Sequence, residues 1–476
     1  MGEAGKPLRF NKGREAFRLL SIKASTGFFL EKPRSECRET SEIYTGFLPA
    51  TGLVMKSQTV THSKMADQVR AFYDKHPYPP PVNSLGDYRR RWENEGRRRA
   101  DFHLFFPDRA YQADQAILVA GCGTSQAAKY ALRQPEAQVV GIDVSQTSIQ
   151  QTAALRRKYK LDNLELRQLP LERATELERS FDKIICTGVL HHLPNPDAGL
   201  SALHQVLKPD GAMHLMVYAT YGRSGIYMLQ EYARRLELGH TDQDINNFAA
   251  ALMALPLDHP LARLLGESPD FQRKDALADA LLNPMDRAYT VPQLLDFLER
   301  CGLTFGRWVR QAPYLPQCGA LATTPHSARL NQLPRREQYA AVELFRGTML
   351  RHSLVAYHAD GSAHSESIQF DDDDWPNYKP IRLPETIRVT QKLPPGAAAV
   401  LINRSHTYPD LYLPVDALQK KLYDAIDGHR TVGEIIGGLA EVERGQQTDL
   451  RRFFQTLWQY DQVVFGSGRV GEASVK

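Results

Sequence analysis

From Ala116 onward the chain alternates between short apolar runs and helix-like stretches. This rhythm restricts the possible folds more than any other feature. The runs AILVA (116–120), QVVGID (138–143), LELRQL (164–169), KIICTG (183–188) and AMHLMVY (212–218) read as strands. Between them lie TSQAAKYALR, SQTSIQQTAALRRKY and NPDAGLSALHQVL, which read as helices. Strand and helix in alternation specify an α/β domain with a parallel sheet, because parallel neighbours need a crossover long enough to hold a helix. Strands covered on both faces become nearly continuous apolar runs, as these are. KPDGA (208–212) supplies the Pro/Gly turn into the fifth run.

The alternation does not fill the chain, and 476 residues are too many for one simple core. Residues 1–64 are basic, sprinkled with Ser and Thr, and weakly periodic, so a loosely ordered extension is expected there. The pattern changes at Met65, in MADQVRAFYDKHPYPPPVNSL. A helix over 66–73 and a proline-stiffened arm are expected, together a lid spanning 65–110. The α/β domain is assigned to 111–325. Within it, 219–290 is a helical insertion expected at one sheet edge, capping a pocket. A helix (291–302) and two strand-like runs, TFGRWVRQ (304–311) and CGALATT (318–324), close the domain. Residues 326–380 are read as a connection, with the acidic run at Asp371–Asp374 as a solvated loop.

Residues 381–476 read as a small α+β domain of winged-helix-like order. PVDALQKKLYDAI is an amphipathic helix closed by Asp427 and Gly428. Thr431 and Glu434 have capping-box spacing, and DLRRFFQTLWQY and QVVFG supply a further helix and a strand. The domain lacks a dense basic face, so peptide or protein docking, or plain packing, is favoured over DNA binding.

A net charge of +4, spread over both signs, gives no push toward nucleic acid or an anionic membrane surface. No apolar run approaches the about 20 residues needed to span a bilayer. The first residues lack the apolar segment of an export signal, and Lys6 stands where myristoylation wants Ser or Thr. Cys37, Cys122, Cys186, Cys301 and Cys318 form no C-x-x-C pair. Neither a zinc knuckle nor a disulfide framework is indicated, and no metal is expected. Reduced thiols in a cytoplasmic protein fit best.

The first strand runs into a glycine turn, AILVAGCGTSQAAKY, and two cofactor readings compete for it. A dinucleotide turn needs G-x-G-x-x-G/A. Gly121 and Gly123 fit, but Gln126 occupies the third position. The alternative starts from ILVAGCGTS, the Asp143 of VVGIDVS lying 22 positions after Gly121, and the LELRQLPLER segment. To these it adds FDKIICTGVLHHLPNPDAGLSALHQVLKPDGAMHLMVY. In this order, these elements resemble the class I methyltransferases dependent on S-adenosylmethionine. FYDKHPYPPP and NPMDRAYTVPQLL resemble a bacterial subset of them, and the resemblance spans 65–325.

The resemblance implies a Rossmann-like seven-stranded sheet. It implies that S-adenosylmethionine is held by Ala120, Gly121, Cys122, Gly123, Asp143, Val144, Leu169 and Thr187. Asp143 would accept both ribose hydroxyls, and Leu169 with Pro170 would lie near the adenine. Two departures stand out. The third element lacks the family's frequent Asp, and Ala120 replaces a carboxylate that often holds the methionine amine. That amine then falls to backbone carbonyls near Ala120 and Thr187, or to the arm.

Other residues are weighed with these. His191 and His192 either pack or line the pocket, one of them as a proton acceptor. Tyr73, His76 and Tyr78 are candidates for a lid. Tyr218, Tyr221 and Tyr227 either line the acceptor side or fill the insertion's core. Cys122 is read as small and packable rather than reactive. Methyl transfer rests on orientation and water exclusion, and needs a base only when the nucleophile arrives protonated, so no catalytic residue is named. Three functions stay open: methyl transfer to a small metabolite or a peptide, nicotinamide-dependent oxidoreduction, and a non-catalytic adaptor on the same fold.

Overall fold

A computed structural model describes residues 58–77, 79–267, 273–360, 368–439 and 447–467. The five predicted runs form strands β1 (Ala116–Ala120), β2 (Gln138–Asp143), β3 (Leu164–Gln168), β4 (Phe181–Thr187) and β5 (Leu207–Ala219). All pair in parallel. A two-residue strand β6 (Ala288–Tyr289) adds to the end of β5. Strands β7 (Leu303–Trp308) and β8 (Arg351–His358) complete the sheet in antiparallel fashion. The order is β3-β2-β1-β4-β5-β8-β7. It reverses between β1 and β4, which opens a crevice at their carboxyl ends, where open α/β sheets place ligands.

Close packing explains the central strands. Ile117, Leu118, Val119 and Ala120 are wholly buried. Helix Gln126–Arg133 turns Ala127, Ala128 and Ala131 inward. It lies so near β2 that a Cβ on Gly141 would stand 2.7 Å from the Ala127 Cβ.

Two expectations are corrected. CGALATT is a 3₁₀ turn over Gly319–Thr323 rather than a strand. Its N–H groups are taken from outside any sheet: Gly319 donates to the Tyr460 hydroxyl and Ala320 to Asp410 Oδ2, both at 3.0 Å. The missing strand is β8, from within the segment read as a connection. Helix Arg335–Arg346 intervenes between β7 and β8, hiding the pairing from local sequence. Second, the N-terminal helix runs Gln58–Lys75, so the boundary set at Met65 falls inside it. No proline or glycine stands within 58–75 to stop it earlier. Residues 1–57, including Cys37, lie outside the described residues, as does Tyr78.

The insertion holds helices Ser224–Arg235, Asp242–Leu252, Ala262–Glu267 and Lys274–Leu282. Ile226, Leu229, Phe248, Leu277 and Leu281 make its core, and Phe72 of the N-terminal helix plugs into it. Beyond β8, helices Ala417–Asp424, Val432–Gly437 and Gln447–Gln459 pack with an antiparallel sheet of Thr386–Val389, Ala399–Asn403 and Leu413–Val415. The anticipated capping box at Thr431 and Glu434 is present. Strand Val463–Gly466 pairs with Lys379–Arg382. This unit is tied to the main domain through Asp461, which accepts from Ala312 N–H at 2.9 Å and Arg307 at 3.3 Å. Among the described residues no helix is long and apolar enough to cross a membrane.

Candidate active site

The turn after β1 is built on two left-handed glycines, Gly121 (φ 66°) and Gly123 (φ 54°). At Gly121 the space is also taken, since a Cβ would stand 2.3 Å from Val189 Cγ2. A side chain at Gly121 is excluded on both counts, and the Val189 side chain packs against the turn instead. Between the glycines, Cys122 is wholly buried, and burial holds its thiol well above the usual range, so it packs and does not react. Its N–H donates to the Ile142 carbonyl at 2.9 Å. Gln126, the residue that breaks the dinucleotide pattern, donates through Nε2 to Thr187 Oγ1 at 2.7 Å. It bridges the turn to the end of β4.

Asp143 ends β2 and is fixed from both sides. Its Oδ2 accepts from Gly123 N–H at 2.8 Å and its Oδ1 from Ser145 N–H at 2.9 Å. A carboxylate has about four acceptor positions, so the Gly123, Ser145 and Val144 amides leave only part of its capacity open to a ligand. Burial raises the Asp143 carboxyl, and the Ser145 and Gly123 amides pull it back down. Helix Gln146–Tyr159 is capped not by Asp143 but by Ser145, whose hydroxyl accepts from Ser148 N–H. Leu169 N–H donates to the Asp143 carbonyl at 3.0 Å, and Gln168 Nε2 to that of Val144 at 3.1 Å. Gly188 (φ 81°) follows Thr187, with nothing nearer to a built Cβ than Met216 Cε at 3.5 Å. The residues singled out in sequence thus gather at the carboxyl ends of adjacent strands.

The N-terminal helix covers this ground. Asp74 accepts from Ser145 Oγ at 2.7 Å and from Thr147 N–H at 3.3 Å, and Thr124 Oγ1 donates to the Pro79 carbonyl at 2.7 Å. Asp74 was not anticipated; of the residues proposed for the lid, Tyr73 bonds to the helical insertion. Its hydroxyl donates to Asp279 Oδ1 at 2.9 Å and accepts from Asn283 Nδ2 at 3.1 Å. His76 lies 3.6 Å from Asp275 Oδ1.

Past β4, a short helical turn, Leu190–His192, buries both histidines. The His191 ring lies 3.9 Å from that of Tyr218. Arg223 covers Tyr218 with its Cζ at 3.5 Å, pairs with buried Asp286 at 3.0 Å, and donates to Tyr227 Oη at 3.1 Å. Tyr218 and Tyr227 therefore belong to this polar cluster, whereas Tyr221 is turned to solvent. Asp279 and Asp286 escaped the sequence reading because acids inside a helical insertion look like its solvated face. The usable signal was NPMDRAY, with Asp286 beside the start of β6.

Residues 118–213 match the family model of a methyltransferase domain. With the strand order and the glycine turn, this defines the class: the chain belongs to the class I S-adenosylmethionine-dependent methyltransferases. An uncharacterized protein of Synechococcus sp. (strain ATCC 27144) is 31% identical over 288 residues, covering 58% of this chain and 68% of that one. The ubiquinone biosynthesis O-methyltransferase of Pseudomonas paraeruginosa (strain PA7) is 27% identical over 148 residues, 30% of this chain. There the match spans about half the relative, 56% of its length. Among solved structures, PKMT2 from Rickettsia typhi superposes with a TM-score of 0.57 at 16% identity, over 82% of this chain and 76% of that one. At that identity the likeness is one of fold.

Proposed function

We propose that the chain transfers a methyl group from S-adenosylmethionine to a small metabolite or a peptide. The observation that carries this reading is the Asp143 carboxylate, locked by Gly123 and Ser145 beside a turn stripped of side chains at Gly121. The residues present fit the cofactor. Asp143 keeps acceptor capacity for the ribose, in charge-assisted bonds of the stronger kind. Gly188 leaves its backbone open to close approach, and Leu169 with Val144 flank the place an adenine would take. The PKMT2 structure in complex with AdoHcy, whose fold this chain shares with a TM-score of 0.55, supports the same assignment.

When bound, the cofactor supplies a methyl carbon already activated by its sulfonium. The chain's own part is to bind, orient and dry the site. Asp143 and the glycine turn fix one partner. The N-terminal helix, clasped through Asp74 and Tyr73, closes over the crevice and keeps water out. Tyr218, held under Arg223, forms a rigid wall on the acceptor side. Calorimetric titration of the full chain with S-adenosylmethionine tests the reading: one saturable site is expected, and no binding would end it.

A further inference from the structure

We propose that His192 takes the proton from a methyl acceptor that arrives as a hydroxyl or an amine, and does so through Nε2. This deepens the methyltransferase reading and rests on it. The first support is the tautomer. His192 Nδ1 stands 2.6 Å from the Met285 carbonyl oxygen. That oxygen has no proton to give, so Nδ1 must carry the hydrogen. In the neutral ring the lone pair then sits on Nε2. No described residue hydrogen-bonds Nε2. A base oriented by a carbonyl on its far nitrogen is the arrangement proton transfer requires.

The second support is the surroundings. His192 lies just past the end of β4, edge-on to Tyr218 of β5 at 5.6 Å and to Tyr73 of the N-terminal helix at 6.0 Å. Asp279, brought by helix Lys274–Leu282, is buried beside Tyr73 and accepts from its hydroxyl at 2.9 Å. Asp286 stands further along the same segment, paired with Arg223. Neighbouring His191 is the poorer candidate. Neither of its nitrogens has a hydrogen-bond partner among the described residues, so no hydrogen bond sets its tautomer. Burial, His192 and Arg223 all disfavour its charged form. The histidine pair thus divides: His191 packs on Tyr218, and His192 is fixed through Nδ1 on the Met285 carbonyl.

In the step, the acceptor's O–H or N–H proton passes to His192 Nε2. The acceptor's lone pair forms the new bond to the methyl carbon. The methyl–sulfur bond breaks with its electron pair left on sulfur. The imidazolium returns its proton to solvent when the lid opens.

The test uses the full chain labelled with ¹⁵N-histidine, the His192 signals being identified by their loss in His192→Asn. Nδ1 protonated and Nε2 bare at pH 8 is the expected spectrum; the reverse tautomer overturns the proposal. The Asn variant keeps an amide to donate to Met285 but has no base. Tritiated methyl transfer is then measured with polylysine and with dihydroxybenzoate as probes. A fall of about 10²–10⁴-fold at pH 7, shrinking as pH rises, with unchanged affinity for S-adenosylmethionine, is expected. A variant rate within threefold of wild type also overturns it. If neither probe is labelled, the tautomer decides. A wild type that fails to bind S-adenosylmethionine would sink the methyltransferase reading instead, leaving the tautomer as found.

Discussion

The Gly123 amide reaches Asp143 Oδ2 at 2.8 Å, and that bond ties the turn after β1 to the end of β2. In the proposed reading the same carboxylate holds the turn and binds the ribose. Asp143→Ala is therefore expected to weaken S-adenosylmethionine binding by about 10- to 100-fold, the worth of one or two charge-assisted bonds. Asp143→Asn should recover little, because an amide nitrogen would face one of the two N–H donors. Titration calorimetry on both variants checks this; undiminished affinity in Asp143→Ala would remove the ribose assignment.

Gly121→Ala meets Val189 at 2.3 Å and must also hold a φ of 66°. Overpacking and left-handed strain together should cost about 2–4 kcal/mol. Val189→Ala in the same chain should return the packing part but not the strain. Urea denaturation of the single and double variants separates the two.

Arg223 and Asp286 form a buried pair against the Tyr218 ring, with side chains 7% and 2% exposed. Removing Arg223 alone leaves a buried charge and should cost about 3–5 kcal/mol. The double variant Arg223→Met with Asp286→Leu should cost much less, so a double-mutant cycle is expected to show strong coupling. Additive losses would mean that the pair does not act as a unit.

The acids at the domain junction behave differently. Burial pushes the Asp461 carboxyl up to about 7 from its ordinary 3.8, against the pull of Arg307 and the Ala312 amide. A carboxyl raised in the folded state binds its proton more tightly there than in the unfolded chain. Its contribution to stability is therefore full below pH 3.8 and is lost as the pH rises through about 7. The loss is on the order of 4 kcal/mol. Asp461→Asn, which keeps an oxygen for Ala312, should flatten this part of the pH profile. Urea midpoints measured from pH 4 to 8 for both proteins give the difference directly.

Much of the candidate site's geometry was legible because its turn and its carboxylate sit at strand ends, and strand ends are local features. The apolar runs, Gly121 and Gly123, Asp143 and Thr187 all follow from short stretches of sequence. What stayed hidden depends on distant segments meeting. Strand β8 pairs with β5 from more than a hundred residues away, and CGALATT gave up its N–H groups to Tyr460 and Asp410. Asp74, Asp279 and Asp286 read as ordinary helix or loop acids until the N-terminal helix and the insertion close on the crevice. Gln126 was read correctly as unfit for a dinucleotide turn, but its bond to Thr187 could not be seen from spacing.

The most direct test is a competition on the unmodified full chain. S-adenosylmethionine is titrated calorimetrically, alone and after saturation with S-adenosylhomocysteine or NADH. A single site that S-adenosylhomocysteine abolishes and NADH leaves untouched is the predicted result. Heat from NADH and none from S-adenosylmethionine would contradict it.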